Sequence, residues 1–223
     1  MPYDKETRRA LVVRGGWEGH DPFTTTELFT PFLKDSGFDV VLSDTLDAYC
    51  DEATMREVDL IVQCWTMGHL SAQQLEGLEA SVRAGAGLAG WHGGIVDSFR
   101  DSAGYLQMTG GQFVAHPGNM VDYEVEILPE KSGHEIVRGL PNFSLHTEQY
   151  WVLGDQLNDV LATTRFSASD ATPWAEQFVV PAIWTRTWGE GSVFVCTVGH
   201  CTADLEVPEV RTIVQRGLLW ASR

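Results

Sequence analysis

The seven histidines of this chain are the side chains best suited to move protons near neutral pH or to ligate a metal. Three of them sit where an apolar run meets a glycine-rich turn. His92 is central in Gly90-Trp91-His92-Gly93-Gly94, the G-x-nucleophile-x-G spacing of an elbow that lifts one side chain above a sheet. His116 lies in "GGQFVAHPGN", where glycines and a proline predict a loop, and His200 in "VFVCTVGHCTADLE", just beyond an apolar run. The elbow offers no hydroxyl or thiol. The expected catalytic set is therefore His92, His116 and His200, not an attacking serine or cysteine, with His92 and His116 as acid/base groups and His200, with Glu148, positioning hydroxyls or a metal. The elbow is expected to set His92 at the most exposed and best-fixed point of the sheet. A following helix, its N-terminus aimed at the ring, would keep it neutral.

Other residues would bind rather than react. "HTEQYWVL" places Glu148 beside Tyr150 and Trp151, and a carboxylate among aromatic rings suits a polyol. Trp17, Trp65 and Trp91 each fall at a predicted strand end, and "RGGWEGHDP" adds Glu18 and His20 to the first such loop. The expected binding set is Trp17, Glu18, His20, Trp65, Trp91, Glu148 and Tyr150. His69 and His134 read as structural, and His146 is left open. No H-E-x-x-H is present and no two histidines are four apart, so a metal has no local signature. Whether His92, His116, His200 and Glu148 converge on a divalent ion from distant loops is open at this level. G-x-x-x-x-G-K-[ST] does not occur, so no P-loop phosphate cradle is predicted.

The composition narrows the partners. Fifteen Lys and Arg against 31 Asp and Glu give a formal charge of −16, which opposes nucleic acids and anionic membranes. No apolar run approaches the roughly 20 residues of a bilayer span. The amino-terminal "MPYDKETRRALVV" lacks the apolar core of a secretory signal. The four cysteines include no C-x-x-C pair, and reduced thiols suit the cytoplasm. A cytoplasmic protein is expected.

The positioning elements alternate through the first half. "ALVVRGG", "FDVVLSD", "VDLIVQC" and "GLAGWH" read as strands. "TTTELFTPFLKDSG" reads as a helix with a Thr24–Glu27 capping box and a blemish at Pro31, and "SAQQLEGLEASVRAG" as one capped by Ser71 and Gln74. That order implies a parallel sheet with ligands at the carboxyl ends of its strands. In the second half "MVDYEVEIL", "DVLATTRF", "VVPAIWTRTW" and "SVFVCTVG" are strand-like, Trp188-Gly189-Glu190-Gly191 reads as a hairpin turn, and "PEVRTIVQRGLLWASR" closes the chain as a helix. One domain over residues 1–223 is the economical reading of 223 residues.

Several of these segments together resemble the trehalose-utilisation (ThuA-like) family. They are "GWEGH", "WHGGIVDSFR", "GGQFVAHPG", "HEIVRGLPNF", "TEQYW", "PAIWTRTWGEGSVFVCTVGH" and "PEVRTIVQRGLLWA", in order over nearly the whole chain. The resemblance implies a flavodoxin-like, class I glutamine-amidotransferase-like three-layer α/β sandwich. Its central sheet would be mainly parallel, with added antiparallel strands. In that wider fold the elbow carries a catalytic cysteine, with a histidine and a glutamate from a later loop. Here the elbow centre is His92, Cys64 lies on the preceding strand, and His200 and Glu206 match the later loop only loosely, so no glutamine hydrolysis is expected. The resemblance points to a carbohydrate-utilisation protein acting on or binding a disaccharide or keto-sugar, with histidine acid/base or metal-assisted chemistry. The alternatives are a non-catalytic sugar-binding or accessory subunit of a sugar oxidoreductase, and a degenerate amidotransferase scaffold. A sugar, and in the second reading an oxidoreductase, are the partners implied; a homo-oligomer is left open.

Overall fold

The computed structural model describes residues 7–170 and 172–223. Residues 1–6, the start of the segment read above as lacking a secretory signal, lie outside them. β1 (Arg8–Gly16) is followed by α1 (Pro22–Glu27) and α2 (Thr30–Asp35), then β2 (Phe38–Ser43), α3 (Glu52–Glu57) and β3 (Leu60–Thr66). α4 (Ala72–Arg83), β4 (Gly87–Trp91), α5 (Gly93–Val96) and α6 (Ala103–Thr109) complete the alternating half. Strands then dominate: β5 (Gly111–Ala115), β6 (Met120–Ile127), β7 (Phe143–Glu148), β8 (Trp151–Gly154), β9 (Asp159–Phe166), β10 (Phe178–Trp188) and β11 (Gly191–Cys196). The chain closes with α7 (Thr202–Glu206) and α8 (Pro208–Ala221).

One sheet of nine strands carries the fold, in the order β2-β1-β3-β4-β11-β10-β9-β6-β7; β5 and β8 form a separate pair. From β2 to β11 neighbours run parallel, and from β11 to β7 they run antiparallel. Whereas β2 at the edge is largely exposed, the inner parallel strands β1, β3, β4 and β11 are covered on both faces, which explains their near-continuous apolar runs. The pleat divides them between two cores. Ala10, Val12, Leu60, Val62, Ala89, Trp91, Phe194 and Cys196 enter one with α2 and α8. Leu11, Val13, Ile61, Leu88, Val193 and Val195 enter the other with α4 and α6. Among the described residues no helix is long and apolar enough to cross a membrane.

The helix caps follow local chemistry. Ser71 and Gln74 make the expected capping box on α4. The Thr24–Glu27 box does not form, because the helix begins earlier: Asp21 is the cap, its carboxylate accepting from Thr24 N. The single helix expected through Pro31 is two helices. Proline has no N–H to give, and its ring would clash with the preceding turn, so the chain restarts with Pro31 in the first turn of α2.

Two further expectations are corrected. "GQFVA" is strand β5 rather than loop, paired with β8, which leaves His116 just past a strand end. Trp91 does not line a pocket. The pleat turns it into the core with α2 and α8, where it is 2% exposed and packs on Phe29 with ring centroids 4.9 Å apart.

Trp91→Ala is expected to lower the unfolding free energy by about 3–5 kcal/mol. Urea denaturation measures it; a loss below about 1 kcal/mol would mean that the ring is not the core element described here.

Candidate functional site

β4 ends at Trp91, His92 takes φ 47° and ψ −140°, and α5 begins at Gly93. This is the sharp strand-to-helix elbow that the glycine spacing predicts. A non-glycine residue held there costs about 1–3 kcal/mol, and neighbouring contacts hold it. His92 N donates to Cys196 O at 2.7 Å, and His92 O accepts from Val96 N at 3.1 Å. Gly93 is needed for a second reason: a Cβ there would lie 2.4 Å from His20 Cε1.

His92 is not the exposed point that was expected; it is 1% exposed. β11 lies parallel beside β4, and its continuation brings Thr197 O to 2.9 Å from His92 Nδ1. Tyr150, between β7 and β8, stacks on the ring with centroids 3.9 Å apart. The helix expected to point at the ring is a single four-residue turn. Burial, not a helix terminus, therefore governs its protonation and pushes its pKa down to about 4, against the opposing contact with Glu148.

Glu148, the last residue of β7, is the hub. Its Oε2 lies 3.1 Å from His92 Nε2, 3.2 Å from His200 Nδ1 and 3.9 Å from His20 Nε2; its Oε1 lies 3.7 Å from His116 Nε2. The four rings come from four places: the loop after β1, the elbow, the end of β5 and the loop after β11. His20 is fixed through Nδ1 by Thr66 Oγ1 at 2.9 Å. His200 is fixed through its backbone N–H, which donates to Asp204 Oδ2 at 3.0 Å, and Thr147 Oγ1 donates to the same oxygen. One ligand atom from each of His20, His92, Glu148 and His200 lies within 4.8 Å of the others, so these four could hold a metal. His116 stands on the opposite carboxylate oxygen, outside that quartet.

The electrostatics follow from this crowding. Burial would raise the Glu148 pKa, but the approach of the His20, His200 and His92 rings outweighs it and holds the carboxyl well below the usual range. Glu148 raises the pKa of His200, burial opposing it, so the carboxylate favours the protonated form of this ring. His92 poses a different problem. Thr197 O and Glu148 Oε2 both only accept, yet they flank the two nitrogens of one buried ring. A neutral imidazole carries one N–H, so one of these contacts sets a lone pair against an acceptor.

The remaining expected residues are placed unevenly. Trp17, 47% exposed, meets His20 edge-on with centroids 4.7 Å apart. Glu18 is exposed in the short turn that carries His20. The Trp65 ring covers Gly15 and Gly68 at the end of β3. Tyr150 is buried, its ring beside His92 and Phe113 rather than presented outward. His69 pairs with Asp101 and His146 with Asp122 on the surface, while His134 accepts from Ile136 N. Cys64 and Cys196 are buried, which pushes both thiols up to about 12. Thr66, Thr197 and Asp204 escape sequence reasoning; only their nearness to strand ends could have signalled them. A groove of about 570 Å³ beside α3 and α4, lined by Glu52, Arg56 and Glu76, contains none of the cluster residues.

A family model described as trehalose utilisation (ThuA) matches residues 9–221. No curated protein matches the sequence. Among solved structures, a ThuA-like protein from Bacteroides uniformis superposes with a TM-score of 0.77 at 15% identity, covering 99% of this chain and 94% of its own. A ThuA-like protein from Parabacteroides merdae gives 0.74 at 15% identity, covering 96% and 90%. A cytoplasmic protein from Salmonella typhimurium gives 0.67 at 12% identity, covering 96% and 100%. At these identities the likeness is one of fold.

The depressed pKa of His92 sets the sign of an acid response. The folded state leaves this ring uncharged while the unfolded chain takes up a proton near the ordinary value of 6.5. Its stabilising contribution is thus full above about pH 6.5 and falls as pH drops toward 4, by about 3 kcal/mol over that window. His200 acts oppositely, stabilising at low pH and losing its contribution as pH rises through its raised pKa. Melting curves in EDTA from pH 7 to 4.5 should fall steadily for the parent and less steeply for His92→Gln. Parallel profiles would mean that His92 does not carry the response.

Proposed function

This chain belongs to the trehalose-utilisation (ThuA) family, and from that premise we propose that it transforms a disaccharide or keto-sugar at the cluster around Glu148. Membership carries a role in carbohydrate utilisation. The observation that supports a catalytic reading is the convergence of four histidines on one ionised carboxylate at the carboxyl edge of the sheet. Ligands of open α/β sheets bind at that edge.

The roles follow from access. His116 and His200 are half-buried, less enclosed than His20 and His92, and in this reading they are the rings that meet the sugar. His92 is buried and acts by positioning Glu148. Glu148 favours the protonated form of His200, which in this reading is the acid. At a keto-sugar, His116 takes the proton from the carbon beside the carbonyl. The C–H electron pair moves into the new C=C bond, and the carbonyl oxygen receives the His200 proton, giving an enediol. Glu148 Oε1, 3.7 Å from His116 Nε2, stabilises the imidazolium so formed. Trp17, edge-on to His20, and Trp65 at the end of β3 supply aromatic surface for the sugar, and Glu18 lies beside them.

Glutamine hydrolysis is not part of this reading, since the elbow carries His92 and burial keeps Cys64 and Cys196 protonated. The reading treats residues 1–223 as one domain, supported by the continuous nine-stranded sheet. It also places the chain in the cytoplasm, supported by its free cysteines and by the Salmonella neighbour described as cytoplasmic.

The test is deuterium uptake from D2O at the carbon beside the carbonyl of a keto-disaccharide, followed by NMR, with trehalose binding measured by calorimetry. Glu148→Gln and His116→Ala should each lower exchange by about 10²–10⁴-fold, while Cys64→Ala, its fold checked by circular dichroism, should retain it. Binding without exchange would favour the accessory-subunit reading. Absence of binding to either sugar would overturn the sugar reading itself.

A further inference from the structure

We propose that His20, His92, His200 and Glu148 bind one first-row divalent transition-metal ion, through His20 Nε2, His92 Nε2, His200 Nδ1 and Glu148 Oε2. This deepens the reading of the cluster as a reaction centre and rests on it for the organic ligand alone.

Three observations carry it. The first is spacing. Around an ion with bonds of about 2.1 Å, ligand atoms at tetrahedral corners are ~3.4 Å apart. The distances from Glu148 Oε2 to the three nitrogens, 3.1, 3.2 and 3.9 Å, bracket that edge, and all four atoms lie within 4.8 Å of one another. Two of these contacts are poor hydrogen bonds. His20 Nε2 is too far from Oε2, and His200 Nδ1 is buried without a properly aligned partner.

The second is the proton on His92. If Nδ1 donates to Thr197 O at 2.9 Å, the Nε2 lone pair points at an ionised carboxylate 3.1 Å away. If Nε2 carries the proton, Nδ1 instead faces the carbonyl with a lone pair. A cation between Nε2 and Oε2 removes the conflict, because both atoms then donate electron pairs to it while Nδ1–H keeps its carbonyl. A ring 1% exposed gains this without carrying an imidazolium charge of its own.

The third is the outer support. Ligating imidazoles commonly have their other nitrogen held by a carbonyl, hydroxyl or carboxylate. His92 has Thr197 O, His20 has Thr66 Oγ1, and the free oxygen of Glu148 faces His116. Imidazole with one carboxylate suits ions from manganese to zinc. Four protein ligands complete a tetrahedron but leave two positions of an octahedron. With the ion bound, His200 Nδ1 would give up its proton to solvent, and the ion would polarise the carbonyl oxygen in place of that proton, the two adjacent oxygens of a hydroxyketone filling the open positions.

The experiment is calorimetry and elemental analysis on full-length protein, first dialysed against EDTA and then titrated separately with MnCl2, CoCl2 and ZnCl2. Saturation near one ion per chain is expected for at least one of them, with a higher Tm. Glu148→Gln and His200→Ala should weaken that ion by more than ~100-fold, and His116→Ala, outside the ligand set, by less than either, within about 10–100-fold. Circular dichroism checks each fold, and His20→Asn serves where one of the first two fails to fold. No saturable binding by the parent, or unchanged affinity in the folded ligand variants, overturns the inference. Keto-sugar binding is measured on the same metal-free and metal-loaded samples. Metal without sugar sustains this inference and sinks the sugar reading, whereas sugar with no metal does the reverse.

Discussion

An ionised carboxylate held away from bulk water dominates this molecule. Moving such a charge into the interior costs several kcal/mol unless partners surround it, and Glu148 is surrounded by four imidazoles. None of those rings could reach it alone. The parallel register sets the ends of β1, β3 and β4 side by side. β11 then inserts next to β4, which carries His200 to the elbow. The antiparallel extension folds β7 back so that its last residue faces the same edge. The parallel half thus supplies His20, His92 and His200, the antiparallel half supplies the charge, and the separate β5–β8 pair supplies His116.

The elbow shows how the fold holds strain where precision is needed. His92 occupies a backbone region that few residues with a Cβ adopt. It stays there because Trp91 is anchored in one core, Ile95 in the other, and the ring is clamped between Tyr150 and Thr197 O. The absence of a side chain at Gly93 lets His20 approach within ring contact of His92, centroids 4.7 Å apart. Small residues and a strained histidine are two parts of one solution: they bring several nitrogens close together without filling the space between them.

The surface complements such a centre. A formal charge of −16 repels phosphorylated ligands and raises the local concentration of cations. Neutral sugars are indifferent to that field. A centre of histidines and one carboxylate inside an acidic envelope therefore accords with neutral polyols and divalent ions better than with nucleotides or sugar phosphates.

Local patterns made much of this legible without coordinates. Runs of apolar residues marked the parallel strands, the Ser71–Gln74 box marked α4, and glycine spacing marked the elbow, because each depends on neighbours within a few positions. The ordered family motifs carried the fold class. What needed the tertiary structure was everything set by long-range pairing. The register of β11 against β4 decided that His92 is enclosed rather than presented. The pleat decided that Trp91 serves the core, and the fold-back of β7 decided that Glu148 meets four rings. His20 joining the close quartet while His116 takes the other oxygen is a matter of ångströms between segments far apart in sequence. Composition and periodicity do not encode such distances, because they arise only when separate strand ends are packed against one another.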